Sequence, residues 1–271
     1  MKQELFTVAD NRLRHTTVIT LPNVDGQMEE FEIVEASNFE PALQQRFPEI
    51  RAFSGRGLTD KTAMLKLSIS PEGIQTMIFR TGKENEFIEV YSDDHLTYAV
   101  FKSHRNPGQL PWTCSTVETK MANGLNNEIG KTGITARSGG DLKTMRLAQS
   151  VTAEYSNYFG ATSASQVSLV LAAVNNTLTR CNGVYEKDLA LHLNLIASTT
   201  NVFYYNASSD PYSAAATGAN GAWNSELQST LTSVIGEANY DIGHLFGASG
   251  GGGNAGCIGC ICTNGSKGSG F

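Results

Sequence analysis

Residues 142–195 read LKTMRLAQSVTAEYSNYFGATSASQVSLVLAAVNNTLTRCNGVYEKDLALHLNL, and the spacing of apolar residues along this stretch decides the fold. Met145, Leu147, Val151, Ala153 and Tyr155 alternate with Arg146, Ser150, Thr152 and Glu154, the two-residue period of a half-buried strand. Ser163 and Gln166 have the spacing of a capping box, after which Val167, Val170, Leu171, Val174 and Leu178 fall on one helical face. This predicts a helix ending at Asn182-Gly183, residues that tolerate a left-handed cap. Leu189, Leu191, Leu193 and Leu195 then alternate with His192 and Asn194 as a second strand.

Toward the C-terminus, Trp223, Leu227, Leu231 and Val234 line a second helix. Strand, helix, strand, helix is the order that builds a mostly parallel sheet with right-handed crossovers. The run from Asn239 to Gly247 and a string of glycines follow, and Gly256–Cys262 is expected to close the sheet as an edge strand.

Toward the N-terminus the period stays at two. Thr17–Leu21 and Phe31–Glu35 flank Asp25-Gly26, a short-range hairpin signal in which both central residues need positive φ. Met64–Ile69 and Ile74–Phe79 flank Pro71-Glu72-Gly73, Phe87–Tyr91 and Leu96–Phe101 form a third pair, and Pro41–Phe47 is a short helix. These features predict a small antiparallel β domain, so the whole is α/β in its second half and α+β overall. Residues 1–115 carry 12 Lys/Arg and 16 Asp/Glu, against 8 and 10 in the longer remainder. That drop in charge density meets a Pro/Gly-containing, polar stretch, which divides the chain into a β domain (1–115), a linker (116–141) and an α/β segment (142–271).

A net charge of −6 offers none of the basic stripes that nucleic-acid binding needs. No apolar run approaches the roughly 18 residues of a membrane span. Charged residues are only 17%, the polar balance being Gly, Ser, Thr and Asn, a composition that suits an extracellular protein.

The βαβα order followed by ANYDIGHLFGASGGGGNAGCIGCIC (238–262) resembles the upstream half of the reprolysin-like (adamalysin) branch of the metzincin zinc peptidases. LKTMRLAQSVTAEYSNYFG is similar to that family's opening strand, and VITLPNVDGQMEEFEIVEASNFEPALQQRFPEIRAFSGRGL (18–58) resembles propeptides that precede such domains in bacterial members. The resemblance implies a latent, secreted, zinc-dependent endopeptidase acting on peptides or proteins, with a Glu as general base. Met1-Lys2-Gln3-Glu4 carries no apolar leader of the kind secretion uses. The family's metal-binding helix, H-E-x-x-H-x-x-G-x-x-H, is absent from the sequence. Two explanations are open. In one, Tyr240, Asp241, His244 and Gly250 are the remains of a decayed motif; in the other, which the element order favours, the zinc ligands lie beyond Phe271 and the chain alone is inactive. A secreted non-catalytic peptide-binding module or pseudoprotease is the alternative function.

Five cysteines, Cys114, Cys181, Cys257, Cys260 and Cys262, are an odd number. Cys114, placed at the end of the β domain, is a candidate latency ligand for the zinc of the implied catalytic site. Cys257, Cys260 and Cys262 have metal-like spacing, but on an extended strand Cys257 would face away from the other two. A disulfide from one of them to Cys181 or to a residue outside this chain is expected instead. Gly256, Ile258 and Gly259 are the candidate substrate-binding residues, because small residues on a sheet edge admit an extended peptide's backbone.

Overall fold

The computed structural model describes residues 16–103, 141–248 and 252–271. The chain divides into two compact units. The described part of the first is residues 16–103 together with Leu171–Asp188, and the second holds the rest. The expected linker therefore lies, apart from Asp141, outside the described residues, as does Cys114.

In the first unit β1 (Thr17–Pro22), β2 (Met28–Glu35), β3 (Arg51–Gly57), β4 (Met64–Ser70), β5 (Gly73–Phe79), β6 (Glu86–Val90) and β7 (Tyr98–Lys102) pair antiparallel in chain order. Helix α1 (Pro41–Arg46) sits between β2 and β3, with Pro41 opening it, where the missing N–H is no loss. The sheet curls around one apolar face: Ile19 and Leu21 of β1 share a cluster with Phe53 of β3, Leu65, Leu67 and Ile69 of β4, and Ile88 of β6. The three expected strand pairs are present. Between them stands a strand the apolar period does not announce, since Arg51–Gly57 reads RAFSGRG; it is held extended by pairing with β2 on one side and β4 on the other. The first turn also differs from a two-residue hairpin. Asn23 Oδ1 accepts from the N–H groups of Asp25 (3.0 Å) and Gln27 (2.9 Å), so a longer Asx-type turn is built and Gly26, not Asp25, takes positive φ.

The outward side of β4 is not a solvent face. Lys66 and Ser68 alternate with the core residues yet are 4% and 1% exposed. They are covered by helix α3 (Val167–Leu189), whose residues 171–188 belong to this unit. α3 passes through Asn182 and Gly183, where an end was expected, and stops before Ala190, which takes the left-handed conformation (φ 51°). The reason is packing: a Cβ on Gly183 would lie 2.8 Å from Lys66 Cγ and 2.9 Å from the Phe79 ring, so the glycine serves close approach instead of a cap.

In the second unit β8 (Lys143–Val151), β9 (Leu191–Leu195) and β10 (Ile242–Phe246) form a parallel sheet in the order β10-β8-β9. β8 is shorter than the alternation suggested. Thr152 caps helix α2 (Ala153–Tyr158), its hydroxyl accepting from Tyr155 N–H at 3.3 Å, so Ala153 and Tyr155 are helical. Ser163 makes no capping hydrogen bond; Gln166 reaches back instead, accepting from Thr162 N–H at 3.0 Å. Helix α4 (Trp223–Val234) lays Trp223, Leu227 and Leu231 in a cluster with Ala148 of β8, Leu245 of β10, Tyr212 and Tyr240.

Arg80, just past β5, anchors the first unit electrostatically. Its buried guanidinium donates to Glu29 (2.6 Å), Glu86 (2.9 Å) and Asp60 (3.1 Å). Arg80→Leu strands Glu86, whose side chain is only 7% exposed, without its cation, and is expected to destabilise the unit by about 3–5 kcal/mol in urea unfolding. A loss below about 1 kcal/mol would show the cluster to be solvated like a surface pair.

Candidate functional site

The chemistry-bearing residues of the second unit gather around β10. Asp241 at its start is tied to β8: its carboxylate accepts from Arg146 Nη2 at 2.7 Å and from the Arg146 backbone N–H at 2.8 Å, while its own N–H donates to Arg146 O at 2.9 Å. The Arg146 hydrogen bonds hold the Asp241 carboxyl below the usual carboxylate range. Tyr240 is fully buried, its hydroxyl accepting from Gln228 Nε2 at 3.1 Å, with the Lys267 ammonium 4.6 Å from the ring centroid. Both residues are structural. Moreover, Tyr240 has extended backbone just before β10 and His244 lies in the middle of that strand, so the two are on extended chain and not on a helix. Four residues of strand span about 13 Å, against one helical turn, so they cannot meet at one ion. The decayed-helix reading is thereby removed.

His244 lies in the middle of β10 against Phe246, ring centroids 5.1 Å apart. Its side chain is half-buried, with Nδ1 sealed from water and without a hydrogen-bond partner among the described residues. Desolvation pulls its pKa down to about 4, so the imidazole is neutral at pH 7. His192 is half-buried on β9.

The outer edge of β10 is occupied by the chain's own last residues. Gly243 N–H donates to Lys267 O (2.8 Å), Leu245 N–H donates to Gly270 O (3.0 Å), and Phe271 stacks edge-on against Trp223 at 5.3 Å. Between them, Gly256–Cys262 is a series of turns rather than the expected edge strand. Gly256 (φ 65°), Gly259 (φ 77°) and Cys262 (φ 62°) are left-handed, a conformation incompatible with strand pairing. Cys257 and Cys260 are joined in a disulfide across this turn. That corrects the expected link to Cys181, a half-buried thiol raised in pKa by burial; neither it nor the exposed Cys262 has a disulfide partner among the described residues. The reason is the turn: with Gly256 and Gly259 left-handed, Cys257 and Cys260, three residues apart, face each other.

A groove of about 310 Å³ opens between β10 and these turns, lined by Ile242, His244, Cys257, Ile258, Gly259 and Lys267. Gly256, beside it, and Gly259 are exposed, whereas Ile258 is half-buried. The fold thus brings Ile258 and Gly259 to a concave surface together with His244. Lys267 was not singled out from the sequence; its buried ammonium donates to Glu237 O and, at 2.9 Å, to Asn264, signals legible only in three dimensions. These residues do not fit a zinc centre. The lone imidazole has no second ligand, two of the sulfurs are oxidised, and among the described residues no group of three or more His, Cys, Asp or Glu could hold a metal.

Residues 142–271 match the metallo-peptidase family M12B, reprolysin-like. No curated protein matches the chain.

Two outcomes follow from this geometry. The unfolded His244 titrates near 6.5 and the folded one near 4, so the unfolded chain binds the extra proton between those values. Stability should therefore fall as pH drops from about 6.5 to 4, by up to on the order of 3 kcal/mol, and His244→Leu should flatten that slope in urea midpoints. An unchanged slope would mean the ring is hydrated. Separately, brief alkylation of the native protein with iodoacetamide should label Cys262 well before Cys181, and mass spectrometry should find Cys257 and Cys260 unlabelled until a reductant is added.

Proposed function

We propose, on the premise that residues 142–271 belong to the reprolysin-like metallo-peptidases of family M12B, that this chain comes from a latent, secreted zinc endopeptidase. Residues 1–115 are its propeptide-like β domain, 116–141 the linker, and 142–271 the N-terminal part of the catalytic domain. The observation that carries the reading is the family match over a segment whose β8, β9 and β10 form a parallel sheet of the kind that the resemblance implies.

A peptide or protein is the substrate. Exposed glycine backbone at Gly256 and Gly259, with Ile258 on the groove wall, suits main-chain recognition of an extended peptide; here the recognising surface is a turn and not a strand. Such a peptide would meet the turn and not β10 itself, whose outer edge already pairs with Lys267–Gly270. When bound, zinc would supply Lewis acidity toward the scissile carbonyl, but its ligands and the general base would belong to residues outside this sequence. Cys114 is the candidate latency residue. No helix of the described residues is long and apolar enough to cross a membrane.

The protein made from the complete reading frame should contain zinc by elemental analysis and hydrolyse a denatured protein substrate, with the activity abolished by 1,10-phenanthroline. Gly259→Val should raise KM by about tenfold, with a smaller effect on kcat, by obstructing the substrate backbone. A zinc-free product that binds peptides and cuts none would replace this reading with the non-catalytic peptide-binding module, for which the lone imidazole of His244 speaks.

A further inference from the structure

Beside the turns of residues 256–262 a strand pair has already begun. Asn254 N–H donates to Phe271 O and Phe271 N–H donates to Asn254 O, both at 3.0 Å, the reciprocal exchange of an antiparallel pair. The partner residues are themselves laid along β10, through Gly243 N–H to Lys267 O and Leu245 N–H to Gly270 O, so one more strand would widen the sheet here. Two residues on, the two chains are still in close approach, since a Cβ on Gly256 would lie 2.2 Å from Ser269 O. There the ribbon stops. Asn254 Oδ1 accepts from Gly256 N–H at 2.7 Å, and Gly256, with φ 65°, turns the chain away.

The cross-link is what forbids its continuation. The Cα atoms of Cys257 and Cys260 are 5.7 Å apart. Three residues of strand span about 10 Å, whereas a disulfide tolerates at most about 7 Å between its Cα atoms. A bond between these two sulfurs and a strand running through them are therefore mutually exclusive. The turns also hold Cys262 left-handed (φ 62°), a conformation that an L side chain rarely adopts. Opening the bond removes both constraints and leaves Ile258 and Ile261, β-branched residues that suit a pleated surface, able to extend. The bond is also within reach of a reductant: Cys257 and Cys260 are half-buried, and Gly259, Ile261 and Cys262 around them are exposed.

We propose that the disulfide between Cys257 and Cys260 is a redox-modification site for a dithiol reductant, and that its reduction converts residues 256–262 from the wall of the groove into a strand added along residues 269–271. One thiolate of the dithiol attacks either sulfur, forming a mixed disulfide and releasing the other cysteine. The second thiolate of the dithiol then displaces the cysteine still attached, and the reductant leaves as a disulfide. Two electrons pass to the protein, and the two protons of the dithiol end on Cys257 and Cys260. In the reduced state the groove loses Cys257, Ile258, Gly259 and Cys260 from its wall, and a strand edge is presented in their place. The conformational step stands apart from the peptidase reading; its consequence, that the two redox states recognise an extended peptide differently, rests on that reading.

The test is hydrogen exchange read by mass spectrometry on the full chain, with and without dithiothreitol. Once alkylation shows Cys257 and Cys260 to be thiols, the backbone amides of residues 256–262 should exchange about tenfold or more slowly than in the oxidised protein, because strand pairing protects them. The double variant Cys257→Ser, Cys260→Ser should show the slow pattern without any reductant. Cys262→Ser should respond to dithiothreitol as the unsubstituted chain does, which assigns the effect to the one bond. Exchange in 256–262 that is unchanged or faster on reduction would overturn the proposal, as would a double variant that matches the oxidised protein. Faster exchange throughout β8 and β10 would overturn it too, by showing that the bond only holds the fold together. Affinity for a fluorescein-labelled extended peptide, measured in both states, reports on recognition separately: slower exchange with equal affinity keeps the switch and removes the turn as the peptide's site.

Discussion

Satisfying the buried amides of α3 is the constraint on which the first unit rests. A helix face turned into the interior is ordinarily apolar, because an unpartnered amide out of water is expensive. α3 escapes that rule only because Asn38, Arg51 O and Ser68 stand where Asn175, Asn176, Thr179 and Asn182 need them. One consequence is structural bookkeeping that ignores chain order: a helix more than 60 residues downstream of β7 completes the face of a sheet formed by residues 17–102. Another is that polar residues on β4 read as surface and behave as interior.

The second unit is organised differently. Its parallel sheet is pinned at the entrance to β10 by the two-way pairing of Arg146 with Asp241, and along the outer edge of β10 by Lys267–Gly270. The turns from Gly256 to Cys262 then project past the sheet as a cross-linked loop instead of extending it. A groove opens between that loop and His244, concave and exposing glycine, with a neutral imidazole in its wall.

Much of this was legible in the residues. Two-residue alternation identified six of the seven strands of the first unit together with β8 and β9, and three-to-four-residue spacing identified α3 and α4, because periodicity records which side of an element meets apolar neighbours. β3 escaped because RAFSGRG carries no alternation; backbone pairing on both edges makes it a strand. Gly183 misled because a glycine after Asn is a good helix end locally, while its function here is set by Lys66 and Phe79, more than a hundred residues away. Gly256, Ile258 and Gly259 were singled out as parts of an edge strand and lie instead on turns, and Lys267, which also lines the groove, was missed since a lone lysine has no distinguishing neighbour in sequence.

What the sequence alone determined is the antiparallel pairs of the first unit, the strands and helices whose period is unbroken, and the resemblance that the match of residues 142–271 bears out, for those depend on local period and on residue identity. Tertiary structure decided which polar residues are interior, where α3 ends, and that Cys257 faces Cys260 across a left-handed turn. Those outcomes depend on partners distant along the chain or on backbone signs that residue type leaves free, and burial and hydrogen-bond satisfaction act only once the partners are together.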